Sequence, residues 1–219
     1  MFIGHYAVGL AAKRVEPRLS LAVLLAAPQV LDLVWPILVL TGVEHVEVEP
    51  GNTAFTPLAF TSYPWSHSLV AALVWAAVMM LIVRAIAPGA WRSAAIAGAL
   101  VVSHWVLDVA SHRADMPLWP GSARLGLGLW QSVPATLAVE IAMYAIGAGL
   151  YLTATRARDR LGRVLPWILI LLLLVIYLGN TFGPPPPSSQ AIAASVLALW
   201  LMPLAGWWIE RHRPPRSVR

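Results

Sequence analysis

Six apolar stretches, at roughly residues 19–41, 67–88, 91–111, 134–155, 164–180 and 190–210, divide the 219-residue chain. A hydrocarbon core about 30 Å thick is crossed by about 20 residues in helical form, and each stretch meets or nearly meets that length. Hydrocarbon offers no water to satisfy backbone N–H and C=O groups, so such stretches must be helical. The expected fold is therefore all-α, a polytopic membrane bundle of about six transmembrane helices. Composition agrees: 59% of the residues are hydrophobic and 11% charged, against about 45–50% and about 25% in soluble domains.

The connections between the stretches are asymmetric in charge. Lys13, Arg14, Arg18, Arg84, Arg92, Arg156, Arg158, Arg160, Arg163, Arg211, Arg213, Arg216 and Arg219 fall on one side of an alternating six-span topology, and Arg113 and Arg124 on the other. By the positive-inside rule both termini of this multi-pass protein are then cytoplasmic. The formal charge of +5 resides in clusters that flank apolar segments, where basic residues orient helices, so nucleic acid is not an expected partner. In "MFIGHYAVGLAAKR" the basic residues follow the apolar part, the reverse of a secretory signal peptide, and the segment is expected to remain attached.

The connections on the opposite side carry few basic residues and differ in character. Residues 42–66 contain Glu44, His45, Glu47 and Glu49 and read as a solvated acidic loop, while residues 112–133 are rich in Gly, Pro and Trp. Loops of this length often carry function. "GPPPPSS" (183–189) reads as a stiff polyproline connector. Trp35, Trp65, Trp91, Trp130, Trp207 and Trp208 stand near span ends, as interfacial anchors do.

Ionisable residues inside a membrane cost about 2.5–3.5 kcal/mol each at mid-helix on insertion scales, so they require a partner or a function. His104, Asp108 and His112 follow each other at four-residue steps on the third span, which aligns them on one helical face with Ser111 alongside. At 1.5 Å per residue Asp108 lies about 6 Å and His104 about 12 Å below the end at His112. On the same scale Asp32 in the first span is about 13 Å deep and Glu140 in the fourth about 9 Å deep, while His67 opens the second. Residues 2–12 are too short to cross, but a half-helix entering from the basic side would place His5 about 12 Å into the membrane. Groups from separate spans thus share one depth.

With no cysteine in the chain, a transition metal would have to use imidazole and carboxylate ligands, and a helical His-x-x-x-Asp turn can offer two of them to one ion. Zinc with an open coordination position would generate a hydroxide nucleophile near neutral pH, which is hydrolase chemistry. The same groups can instead pin helices together, or form a proton or cation pathway in a protein that is no enzyme. A pathway would need polar residues continuing to the other face, and the far halves of spans two to four hold little beyond Arg84.

Gly4-His5, "APQVLD" (27–32), "PWSHSLV" (64–70) and "LVVSHWVLDVASHRADMPLWPG" (100–121) together resemble the bacterial inner-membrane metal-dependent hydrolases typified by the LexA-binding membrane hydrolases. The resemblance covers about residues 1–150. That family is in turn remotely similar to zinc phospholipase C and P1-type nucleases. It implies Asp32, His67, His104 and Asp108 as ligands of one zinc ion, with His5 beside a possible second. With a metal-bound hydroxide as nucleophile, Glu140 or His112 is expected to handle protons as general base or acid, and the phospholipase resemblance together with the membrane setting favours a lipid or lipid-linked phosphoester as substrate. The chain departs from the pattern at Gln29, where the family has an acidic residue, and at Thr136, where the phospholipase pattern has a histidine before Glu140. One or two ions are therefore expected rather than three. The expected organisation is a metal-site membrane domain at 1–155, followed at 156–219 by two further spans and a basic tail.

Overall fold

A computed structural model describes residues 1–216 of the chain; Arg219, counted above among the basic residues, lies outside them. Among the described residues six segments are long and apolar enough to cross a membrane: Leu21–Leu40, Leu69–Ile86, Trp91–Ser111, Val133–Ala154, Arg160–Phe182 and Ser189–His212. The protein is an all-α polytopic bundle, and its spans lie close to the expected limits.

The half-helix is present as α1 (Ile3–Val15), almost wholly buried, with Lys13 and Arg14 in its last turn, where cations complement the helix dipole. The first span is interrupted. Ser20 caps α2 (Leu21–Ala26) by accepting from the Val23 amide, a 3-10 turn follows at Ala27–Gln29, and α3 (Val30–Leu40) completes the crossing. Pro28 has no N–H to donate, so a bond of the ladder is lost at the interruption, whereas Pro36 is accommodated inside α3. A hairpin of β1 (His45–Val48) and β2 (Leu58–Ser62) leads to the single turn α4 (Pro64–His67), then to α5 (Leu69–Ile86) and α6 (Trp91–Ser111). A second two-stranded ribbon, β3 (Met116–Pro117) with β4 (Arg124–Leu125), precedes α7 (Val133–Ala154) and α8 (Arg160–Phe182). The last span divides into α9 (Ser189–Val196), a 3-10 turn and α10 (Leu201–His212).

The spans alternate in direction. At one end Lys13 pairs with Glu210, Arg92 donates to the Val15 carbonyl (2.8 Å) and Arg213 to that of Leu152 (2.9 Å). The opposite end joins the Ser189 hydroxyl to the Val46 carbonyl (2.7 Å) and sets the Phe55 ring tilted against Tyr177 (5.8 Å). The last span packs back on the first, α10 against α2 and α9 against α3.

Close backbone approach seats α1. A Cβ at Gly9 would stand 2.1 Å from the Leu24 carbonyl oxygen, and one at Gly147 on α7 would stand 2.3 Å from that of Ala7. Without a hydrophobic drive between helices in lipid, such small-residue contacts supply the packing. Two of the tryptophans expected at the interface are instead interior. Trp35 packs near Phe60 (5.8 Å), and Trp130 lies over His112 (4.1 Å), both buried. Trp65, Trp91, Trp207 and Trp208 are exposed, as anchors are.

Candidate metal centre

The interruption of the first span positions the centre from two directions. It turns the Pro28 carbonyl, otherwise a helix acceptor, toward His104 on α6, whose Nδ1 lies 2.7 Å away. It also starts a new helix, in whose first turn Asp32 stands. His104 Nδ1 must be the donor to a carbonyl, so in the neutral ring Nε2 carries the lone pair. That Nε2 is buried, lies 3.1 Å from Asp108 Oδ2, and has no hydrogen-bond partner. A neutral imidazole nitrogen and a carboxylate facing each other at that distance repel unless a proton or a metal ion lies between them.

His67 is held in the matching tautomer. Glu44 accepts from the amides of Trp65 (2.7 Å) and Ser66 (2.8 Å) at the start of α4, and from the Ser66 hydroxyl (2.6 Å). The Ser66 Oγ is also 2.6 Å from His67 Nδ1. Its single proton goes to the carboxylate, so His67 Nδ1 donates to Ser66 and Nε2 again presents a lone pair. That atom is 3.3 Å from Asp32 Oδ1 and 3.9 Å from Asp108 Oδ2, while His104 Nε2 is 3.9 Å from Asp32 Oδ1. Zinc bonds of about 2.0–2.1 Å in tetrahedral array separate neighbouring ligand atoms by about 3.3–3.4 Å, and these four contacts bracket that value.

The expected site residues divide by location. Asp32, His67, His104, Asp108 and His5 come together from α3, α4, α6 and α1. His5 Nε2 lies 3.0 Å from Asp108 Oδ1 and its ring stacks on His104 (3.7 Å). The amino group of Met1 also donates to Asp108 Oδ1 (2.5 Å). Among the described residues two three-residue groups could hold an ion, Asp32–His67–His104 and His5–His104–Asp108. They share His104, which has one free nitrogen, so a single ion uses it.

His112 follows α6 with Nε2 3.9 Å from Asp108 Oδ2. Its Nδ1 donates to Asp115 (2.9 Å), whose carboxylate also accepts from the Tyr63 hydroxyl (3.1 Å). Burial pulls the His112 pKa below its ordinary value despite Asp115, which favours the neutral ring. Glu140, by contrast, lies on α7 with Oε2 accepting from the amides of Phe2 (2.8 Å) and Gly4 (3.1 Å), where it caps α1.

Sequence reasoning missed several members. Glu44, expected in a solvated loop, is buried, whereas Glu47 and Glu49 of the same loop are exposed. Asp115 stands three residues beyond His112, a spacing that could have marked it. Ser66 and the Pro28 carbonyl carry no comparable signal.

A cavity of about 500 Å³ opens on this centre, lined by Asp32, His67, Asp108 and His112 on one side. Such a volume lies within the range of small-molecule sites. Residues 50–182 match the YdjM inner membrane protein family; this includes His67, His104, Asp108, His112 and Glu140, while His5 and Asp32 precede it. No curated protein and no solved structure matches the chain.

Proposed function

The chain belongs to the YdjM inner membrane protein family, and from that premise we propose that it is a membrane-embedded metal-dependent hydrolase. Its substrate in this reading is a phosphoester in a lipid or lipid-linked head group, and its centre opens to the outer face. The observation that carries the proposal is the convergence of His67 Nε2 and His104 Nε2 with carboxylate oxygens of Asp32 and Asp108 at 3.1–3.9 Å, the Nδ1 of each ring being held by an outer acceptor.

Asp32, His67, His104 and Asp108 would hold one divalent ion, zinc by the preference for nitrogen and oxygen ligands in a cysteine-free site. The two carboxylates balance the charge of one dication, which reduces the penalty of burying any of them alone. Bound there, the ion would supply a Lewis acid and a water ionised near neutral pH. Among the chain's own groups, His112 fits the proton-handling role. It lines the cavity and its Nδ1–H is anchored by Asp115, so Nε2 is free to take a proton from the attacking water. As the new P–O bond forms and the ester P–O bond breaks, the same atom returns that proton to the leaving oxygen. Glu140 is committed to α1 through two backbone amides and takes a structural part in this scheme.

The direct test is zinc-dependent release of head group or phosphate from phospholipid vesicles carrying the purified protein. Turnover abolished in His104→Ala supports the reading. Bound metal without turnover on any phosphoester overturns it.

A further inference from the structure

The cavity has a second wall that the hydrolytic scheme does not use. Facing the polar side are Leu172 and Ile176 of α8, Val196 and Leu199 of the last span, and Leu201 and Met202 of α10. The helices that carry this wall diverge from a polyproline segment, Pro184–Pro187, which joins α8 to α9, and α9 lies against α3.

The wall has the depth of one lipid leaflet. At 1.5 Å per residue the stretch from Leu172 to Phe182 is about 15 Å long and that from Ser189 to Leu201 about 18 Å, against a hydrocarbon core about 30 Å thick. Leu172 and Leu201, at the deep end, are also 44% and 58% exposed at the protein surface. Both residues line the cavity and stand at mid-span, where the medium around the protein is hydrocarbon. Toward the opposite end it adjoins a second chamber of about 520 Å³ with Thr53, Thr56, Asn180 and Thr181 in its lining; Phe60, Trp130 and Asn180 border both.

We propose that this cavity is an acyl-chain site. A membrane lipid enters sideways between α8 and the last span, lays one chain against the apolar wall and brings its head group to the Asp32–His67–Asp108–His112 side. The second chamber then receives the polar remainder of the head group. Moving a chain from lipid to this wall gains little, because lipid tails are as apolar as leucine. The wall consequently serves to align the lipid, and selection falls to the head group. This inference rests on the hydrolase reading for its chemistry, but its geometry is tested separately.

The test uses the full-length protein in vesicles of phosphatidylethanolamine and phosphatidylglycerol containing a trace of phosphatidylglycerol with a diazirine near the end of one chain. After photolysis, label is expected on Leu199 and Met202, which line the cavity and are buried. Val196→Trp, filling the cavity, should abolish that label while bound metal stays unchanged. Label confined to the outward-facing Leu171, Val175 and Leu204, or unchanged by the tryptophan, overturns the chain site. The two readings fail independently: label on Leu199 without turnover refutes the hydrolase alone, whereas turnover without that label refutes the chain site alone.

Discussion

The Pro28 carbonyl oxygen lies 2.7 Å from His104 Nδ1, so a break in the first span determines which nitrogen of a third-span imidazole is free. A proline inside a transmembrane helix leaves backbone groups unpaired, and neighbouring helices must satisfy them. Here that repair also sets a tautomer, as an outer hydrogen bond does for metal-binding histidines.

If the four converging atoms hold an ion, purified protein should carry about one divalent ion per chain, because His104 offers a single free nitrogen. Asp32→Ala and His104→Ala should each lose it. Elemental analysis at matched purity, in protein prepared without chelator, checks this. Absence of stoichiometric metal after zinc is added back would refute the centre and leave a structural polar core.

The Glu44–Ser66–His67 chain should tune affinity without being required for folding. Ser66→Ala frees the His67 Nδ1 proton from its acceptor, and Glu44→Gln weakens the orientation of Ser66. Loss of such outer partners usually costs about 10–100-fold in metal affinity or activity. Competition with a chromogenic chelator measures it; unchanged affinity in Ser66→Ala would show that the hydroxyl does not orient the ring.

His112 and Glu140 should separate cleanly. His112→Gln is expected to keep the metal and lower kcat by about 10²–10⁴-fold, the usual contribution of a general base. Glu140→Ala should act on stability, since each unpaired buried amide costs about 1–3 kcal/mol. Thermal unfolding in detergent beside steady-state kinetics distinguishes the two, and a purely kinetic defect in Glu140→Ala would reverse the assignment.

Helix α1 should depend on the absence of a side chain at Gly147. A Cβ there would meet the Ala7 carbonyl oxygen at 2.3 Å, so Gly147→Leu must push the half-helix away from α7 and carry His5 from the cluster. Overpacking of this kind costs about 1–3 kcal/mol, seen as a lower unfolding midpoint. A midpoint equal to wild type would mean that the contact is not tight.

Orientation is open to direct labelling because the chain contains no cysteine. With the basic-rich end in the cytoplasm, a cysteine replacing Gly51 should react with an impermeant maleimide in intact cells, and one replacing Arg158 only after lysis. The opposite pattern inverts the topology and turns the cavity toward the cytoplasm.

The periodic features of the sequence translated into structure where one helix or one bilayer supplied the ruler. Six spans followed from apolar length, and the His104–Asp108 pair from a four-residue step on one helix. The common depth of Asp32, His67 and His5 was legible because a bilayer gives every span the same coordinate. What depth cannot supply is azimuth, the direction in which a group at that level points. Glu140 has the right depth, and its Oε2 faces the amides at the start of α1, a direction that depth does not give. Glu44 was read by its charged neighbours, Glu47 and Glu49, although the fold of α4 buries it alone. The apolar wall given by the last two spans had no signature at all, since a residue lining a cavity and one facing lipid have the same composition.

The close seating of α1 also bears on biosynthesis. His5 belongs to a helix held by Gly147 and Glu140 of the fourth span and by Glu210 of the sixth, all translated long after it. A chain with three spans in the bilayer already has Asp32, His67, His104 and Asp108, and offers α1 the first span and α6 to rest on, but lacks the groove at Gly147, the cap from Glu140 and the pairing of Lys13 with Glu210. The seat of α1 is thereby complete only once the fourth and sixth spans are in place.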